Sequence, residues 1–100
     1  MDIYHEITLR LGNIKHTLHA LKEEALDNIT AEQVENSLKL GFKIIEEYSD
    51  DPRGVSCLLL CFSDDMPVHI VCVPHEDALI IITVYRPDIS KWTDDYKKRR

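Results

Sequence analysis

ALIIITVYRPDISKW, residues 78–92, is the stretch whose reading decides the fold. Leu79, Ile80, Ile81, Ile82, Thr83, Val84 and Tyr85 form an unbroken run of β-branched, leucine and aromatic side chains between Asp77 and Pro87. The run is too short for a free-standing helix and reads as a strand covered on both faces. Burying Leu79, Ile80, Ile81, Ile82 and Val84 at roughly 1.5–3 kcal/mol each yields on the order of 10 kcal/mol, comparable with the net stability of a small domain. Losing the strand loses the fold.

Working upstream, the hydrophobic period is 2 back to Gly41. Val68 to Val73 and Val55 to Phe62 read as strands, and Phe42, Ile44 and Tyr48 alternate with Lys43 and Glu47 in a half-exposed first strand. Asp50-Asp51-Pro52-Arg53-Gly54, Ser63-Asp64-Asp65-Met66-Pro67 and Pro74-His75-Glu76-Asp77 carry the residues that turns need. Four short strands joined this tightly predict an antiparallel meander.

Before Gly41 the period is helical. Ile3, Ile7 and Leu11 line one side of a first helix over residues 1–12, with Gly12 placed to end it, and Asn13 to His16 form a connection. Thr17 caps a second helix to about Asp27, whose Leu18, Leu21 and Ala25 are expected to face the core. Thr30 and Gln33 make a capping box for a third helix, Ala31 to Leu40, with Val34 and Leu38 inward. The expected class is therefore α+β, with two or three N-terminal helices packed on a four-stranded antiparallel meander in a single domain, 1–100. Trp92 folds back over an edge of the core, and the basic tail at 96–100 frays.

Eighteen acidic against twelve basic residues give a formal charge of −6, a field that repels nucleic acid and anionic membranes, so any RNA contact must come from a local basic patch. The last four residues, Lys97-Lys98-Arg99-Arg100, hold the basic excess. Asp2, His5, Glu6 and Arg10 break up any signal pattern and no apolar run is long enough to span a bilayer, which predicts a cytoplasmic protein that does not engage membranes. Cys57, Cys61 and Cys72 are odd in number, lie on apolar strands and form no CxxC pair, as suits reduced packing thiols. His16, His19 and Glu23 would align along one side of a helix, but no fourth ligand accompanies them, so a solvated face is expected and no metal or cofactor is required.

Two segments resemble a known family. His19-Ala20 through Ile29-Thr30, then Val34, Gly41, Glu46-Glu47-Tyr48, Val68-His69-Ile70-Val71 and Ile82-Thr83-Val84-Tyr85-Arg86-Pro87-Asp88 with Trp92 resemble a family of small prokaryotic domains of unknown function. That family is similar to the RelE/ParE/MqsR class of toxins, compact helix-plus-sheet proteins that in several branches cleave messenger RNA and are neutralised by a cognate antitoxin. The resemblance covers roughly residues 16–99. It implies a RelE-like fold, a toxin-like function as a metal-independent RNA endonuclease, a small antitoxin as partner, and RNA or the ribosome as target. Where relatives read His-Ala, two residues, Arg, three residues, Arg-Gly-Ile, this chain has Glu23, Asp27 and Asn28, inverting charge at two sites. If those arginines grip phosphate in relatives, this chain lacks that grip, which favours the alternative of a non-catalytic protein-binding module on the same scaffold.

Cleavage of RNA by its own 2′-hydroxyl needs a base, an acid and a cation for the charge developing on phosphate. His69 is the foremost acid/base candidate, with Tyr85, Thr83 and His19 as companions, Arg53 and Arg86 as phosphate partners, and Trp92 as a stacking surface for a base. Alternation puts His69 with Val71 and Val73, and Thr83 with Tyr85; whether these faces coincide depends on register. The simpler reading of His69 is a half-buried histidine hydrogen-bonded within a strand. The exposed first strand also predicts that two copies can pair as a homodimer.

Overall fold

The computed structural model describes residues 2–100, so Met1, at the start of the expected first helix, lies outside the described residues. The first half of the run, Ala78–Tyr85, does form a strand, and the chain is organised around it. In order, the elements are α1 (Ile3–Leu9), β1 (Ile14–His16), α2 (Leu18–Leu26), α3 (Ala31–Leu40), β2 (Lys43–Tyr48), β3 (Ser56–Ser63), β4 (Met66–His75) and β5 (Ala78–Tyr85). The class is α+β, with three helices among the described residues on one open five-stranded sheet in the order β1-β5-β4-β3-β2.

The antiparallel meander expected from the turns is present as β2 to β5, yet the sheet is neither four-stranded nor wholly antiparallel, and it is not the RelE-like arrangement implied by the resemblance. Ile14-Lys15-His16, expected as a connection, pairs in parallel with Leu79-Ile80-Ile81 and makes β5 an interior strand. Three residues are too few to show a period of 2, which is why the strand is invisible in the sequence. The first helix is correspondingly short: it ends at Leu9, and Leu11 packs on the core from the following turn.

Local chemistry explains the rest of the meander and the third helix. The Thr30–Gln33 capping box forms in both directions, and Gly41 ends α3 at φ +148°. Asp64 and Asp65 both take positive φ in the two-residue turn that joins β3 to β4, as the right-handed twist of a hairpin requires. Between Ile81 and Thr83 the strand β5 carries one extra residue, Ile82, opposite the Val71–Cys72 step of β4. This bulge keeps Leu79, Ile81 and Val84 on the helix-facing side, where they are fully buried with Val68, Ile70, Cys72, Cys57 and Leu59. The three cysteines are free and buried on that side, and burial pushes the Cys57 thiol up to about 11 and Cys61 up to about 12. Ile80 is only half-buried, so the strand is covered completely on one face and in part on the other.

Helix α2 departs most from expectation. Leu18 and Leu21, expected in the core, are 67% and 43% exposed, whereas Ala20 and Glu24 are buried. The reason is that α2 lies along the edge of β5 beyond the reach of β1. Thr17 donates its backbone N–H to the Ile81 carbonyl and its hydroxyl to the Ile82 carbonyl. From there Glu23 accepts the Val84 amide at 3.1 Å and Asp27 accepts the Arg86 amide at 2.8 Å. Four residues of helix advance about 6 Å and two residues of strand about 6.6 Å, so carboxylates at i and i+4 match amides at i and i+2. Two side chains thus do what a longer β1 would do. Glu23→Ala leaves the Val84 amide without its partner and is expected to cost about 1–3 kcal/mol in urea unfolding, while Glu23→Gln, which keeps an acceptor, retains most of that stability.

Candidate functional site

Register settles the relation between His69 and Tyr85. They are direct partners across β4 and β5, two pairs away from Val71 and Thr83, and all four belong to the side of the sheet away from the helices. The Tyr85 phenol stands 3.1 Å from His69 Nδ1, and His69 Nε2 is 2.8 Å from the Tyr96 carbonyl. A carbonyl only accepts, so Nε2 carries the proton and Nδ1 accepts from the Tyr85 hydroxyl.

Residues 87–100 seal this pair. The tail is not frayed: Trp92 bridges to Arg99, the Arg100 amide donates to the Lys91 carbonyl at 2.9 Å, and the Thr93 amide donates to the Lys98 carbonyl at 2.8 Å. The Trp92 ring, 3% exposed, meets His69 edge to face with ring centres 4.4 Å apart. The Arg99 guanidinium lies over the Trp92 ring, 4.7 Å from its centroid, and forms a two-pronged ion pair with Glu46 of β2 at 2.9 and 3.0 Å. Glu46 also accepts from the Tyr48 hydroxyl. Tyr96 turns its carbonyl onto His69 from a left-handed backbone, φ +62°, a conformation that costs an aromatic residue about 1–2 kcal/mol. Under this cover His69 has no exposed surface. Burial holds its imidazole below the usual range and raises the Tyr85 phenol, while the Arg99 guanidinium holds the Glu46 carboxyl down.

The remaining candidates are scattered. Thr83 shares the sheet face of His69 but is paired with Val71. His19 is an exposed residue of α2, 3.2 Å from Glu23, and takes no part in the contacts of His69. Arg53 sits in the turn before β3 with its guanidinium on Asp51 at 3.0 Å, beside His75. Since His75 is six residues along β4 from His69, Arg53 is roughly 20 Å away from the pair. Arg86 follows Tyr85 but alternates to the helix side, where its Nη1 is buried without a hydrogen-bond partner. The cation that does stand beside the pair is Arg99, in the C-terminal run expected to fray.

A second polar cluster also escaped the sequence. His16, on β1 and not on a helix, lies between Glu24 of α2 at 2.7 Å from Nδ1 and Glu35 of α3 at 2.9 Å from Nε2. Its proposed alignment with His19 and Glu23 therefore does not form, and among the described residues no group of three or more His, Cys, Asp or Glu is placed to hold a metal. Nothing in local spacing distinguishes inward Glu24 from edge-capping Glu23; the signal lies only in the position of Glu24 four residues after buried Ala20. The side chains of His16 and Glu24 are 7% and 3% exposed and that of Glu35 is 32% exposed, so the cluster ties β1, α2 and α3 together through a buried His16–Glu24 pair with Glu35 at its wet end.

Two expectations follow. Leaving one charge of a buried pair alone costs about 3–5 kcal/mol, whereas an apolar replacement of both members is close to neutral; His16→Leu should therefore destabilise the chain strongly in urea, and adding Glu24→Leu should recover much of the loss. For His69 the folded state holds the imidazole's pKa below the ordinary 6.5, so the unfolded chain takes up the proton first. That contribution to stability is complete above pH 6.5 and is lost as pH falls through the lowered value, and His69→Gln should flatten this acid limb of the urea midpoint.

No helix among the described residues is long and apolar enough to cross a membrane. No curated protein and no solved structure matches the chain, and nothing in these comparisons links it to the RelE/ParE/MqsR toxins. A family of domains of unknown function, DUF4258, matches residues 16–86, from the histidine of the buried cluster to the end of β5. The chain belongs to the DUF4258 family.

Proposed function

We propose that this domain works by binding a protein, as the toxin-like partner of a small antitoxin, and does not cleave RNA in the closed state described above. The observation that carries the non-catalytic part is the sealing of His69: it has no exposed surface, and both ring nitrogens are engaged by Tyr85 and Tyr96. A general acid or base must reach the proton it moves, and this one reaches no solvent. The use of Glu23 and Asp27 as backbone acceptors, at positions where relatives carry arginine, argues the same way. The toxin-like part rests on the resemblance of the segments from His19 to Trp92.

A second reading is favoured by one observation. His69 and Tyr85 are hydrogen-bonded to each other beneath Trp92, so displacement of the Trp92 ring would uncover an acid/base pair, with Arg99 still tied to Glu46 of β2. One experiment separates the two. The purified chain is incubated with RNA, with and without chelator, beside Tyr85→Phe, and is co-expressed with the product of the neighbouring small reading frame. Intact RNA together with a stoichiometric complex is the expected result. Cleavage that drops by ~10²-fold or more in Tyr85→Phe would establish the second reading in its place, and failure to form a complex would remove the antitoxin partner.

A further inference from the structure

Where β2 begins, the open face of the sheet is hollowed into a groove of about 650 Å³ lined by Phe42, Leu60 and Phe62 below and by residues 94–97 of the C-terminal segment on one side. That volume is in the range of small-molecule sites, which are apolar with a few convergent polar groups. Phe62 is 48% exposed here, although Leu60, two residues earlier on the same face of β3, is buried. Lys43 of β2 and Lys97 both line the groove, and the ammonium of Lys97 holds that of Lys43 below its usual range against the opposing pull of the Asp95 carboxylate. Neither lysine takes part in an ion pair among the described residues. The two aspartates on the rim are already committed: Asp94 to Arg100 at 2.7 Å, Asp95 to the Thr93 hydroxyl at 2.6 Å and the Lys97 amide at 3.2 Å.

Two ammonium groups that repel each other over an apolar floor are complementary to a single negative charge on an apolar body. We propose that this groove binds a small amphipathic anion, an aromatic or branched apolar molecule carrying one carboxylate, with the body against Phe62 and Leu60 and the carboxylate between Lys43 and Lys97. A polyphosphate chain fits less well: it would bring further charges against Asp94, Asp95 and a protein of formal charge −6, with only two cations to receive them. The ligand would also rest on Tyr96, whose carbonyl holds His69, so occupancy reinforces the closed segment. The inference does not depend on the toxin-like reading.

The test uses naphthoate as the probe, titrated into the full chain and followed by amide chemical shifts and calorimetry. Saturable shifts at Lys43, Phe62 and Tyr96 are expected, with binding weakened about tenfold when Lys43→Gln and Lys97→Gln are combined and at least as weak for the neutral naphthalene methanol. Phe62→Thr, at an exposed position, should weaken binding without touching either charge. Absence of saturable shifts at these residues, equal affinity for the neutral analogue, or unchanged affinity in the lysine variant would overturn the proposal. Tighter binding of uridine monophosphate than of naphthoate would overturn it in favour of a nucleotide site.

Discussion

Everything in this molecule depends on satisfying both backbone edges of β5. An interior strand leaves no choice: its amides and carbonyls are out of water, and each one unpaired costs as much as a lost hydrogen bond. On one side His69 to His75 of β4 pair with it from end to end, interrupted only at the Ile82 bulge. On the other side β1 covers only Leu79 to Ile81, and the cover is completed by Thr17, Glu23 and Asp27. The orientation of α2, its outward leucines and its inward glutamate all follow from that requirement.

The same requirement explains how far the fold could be read from residues. Signals that act over a few positions were legible: the capping box of α3, the aspartate turn between β3 and β4, the apolar run of β5. Those that act across the chain were not. Leu18, Leu21 and Ala25 make a convincing apolar stripe, but the helix is held by backbone amides of a strand some sixty residues away, and no periodicity reports on that. Nor does a three-residue strand carry a pattern of its own.

The candidate site shows the same division. Alternation placed His69 and Tyr85 on definite strand faces, while the face they share came from register, which is shifted by the extra Ile82. Trp92 was legible as a cover because a lone tryptophan after the last strand must find a partner. Arg99 and the Tyr96 carbonyl were not, because a terminal run of four charges reads as solvated. The outcome changes the meaning of His69. Its neighbours are an accepting carbonyl, a donating phenol and an aromatic edge, which together describe a neutral imidazole used to hold two segments together.

The parallel pairing of β1 has a consequence for how the chain reaches its native state. Meander strands zip from adjacent hairpins, each closing a loop of a few residues. By contrast, the contact of Thr17 with Ile82 spans 65 residues, so its loop entropy is recovered only after the meander exists to receive it. Docking of the N-terminal third therefore closes a far longer loop than any hairpin of the meander, and whenever it is undocked the outer edge of β5 is open to any other strand in solution.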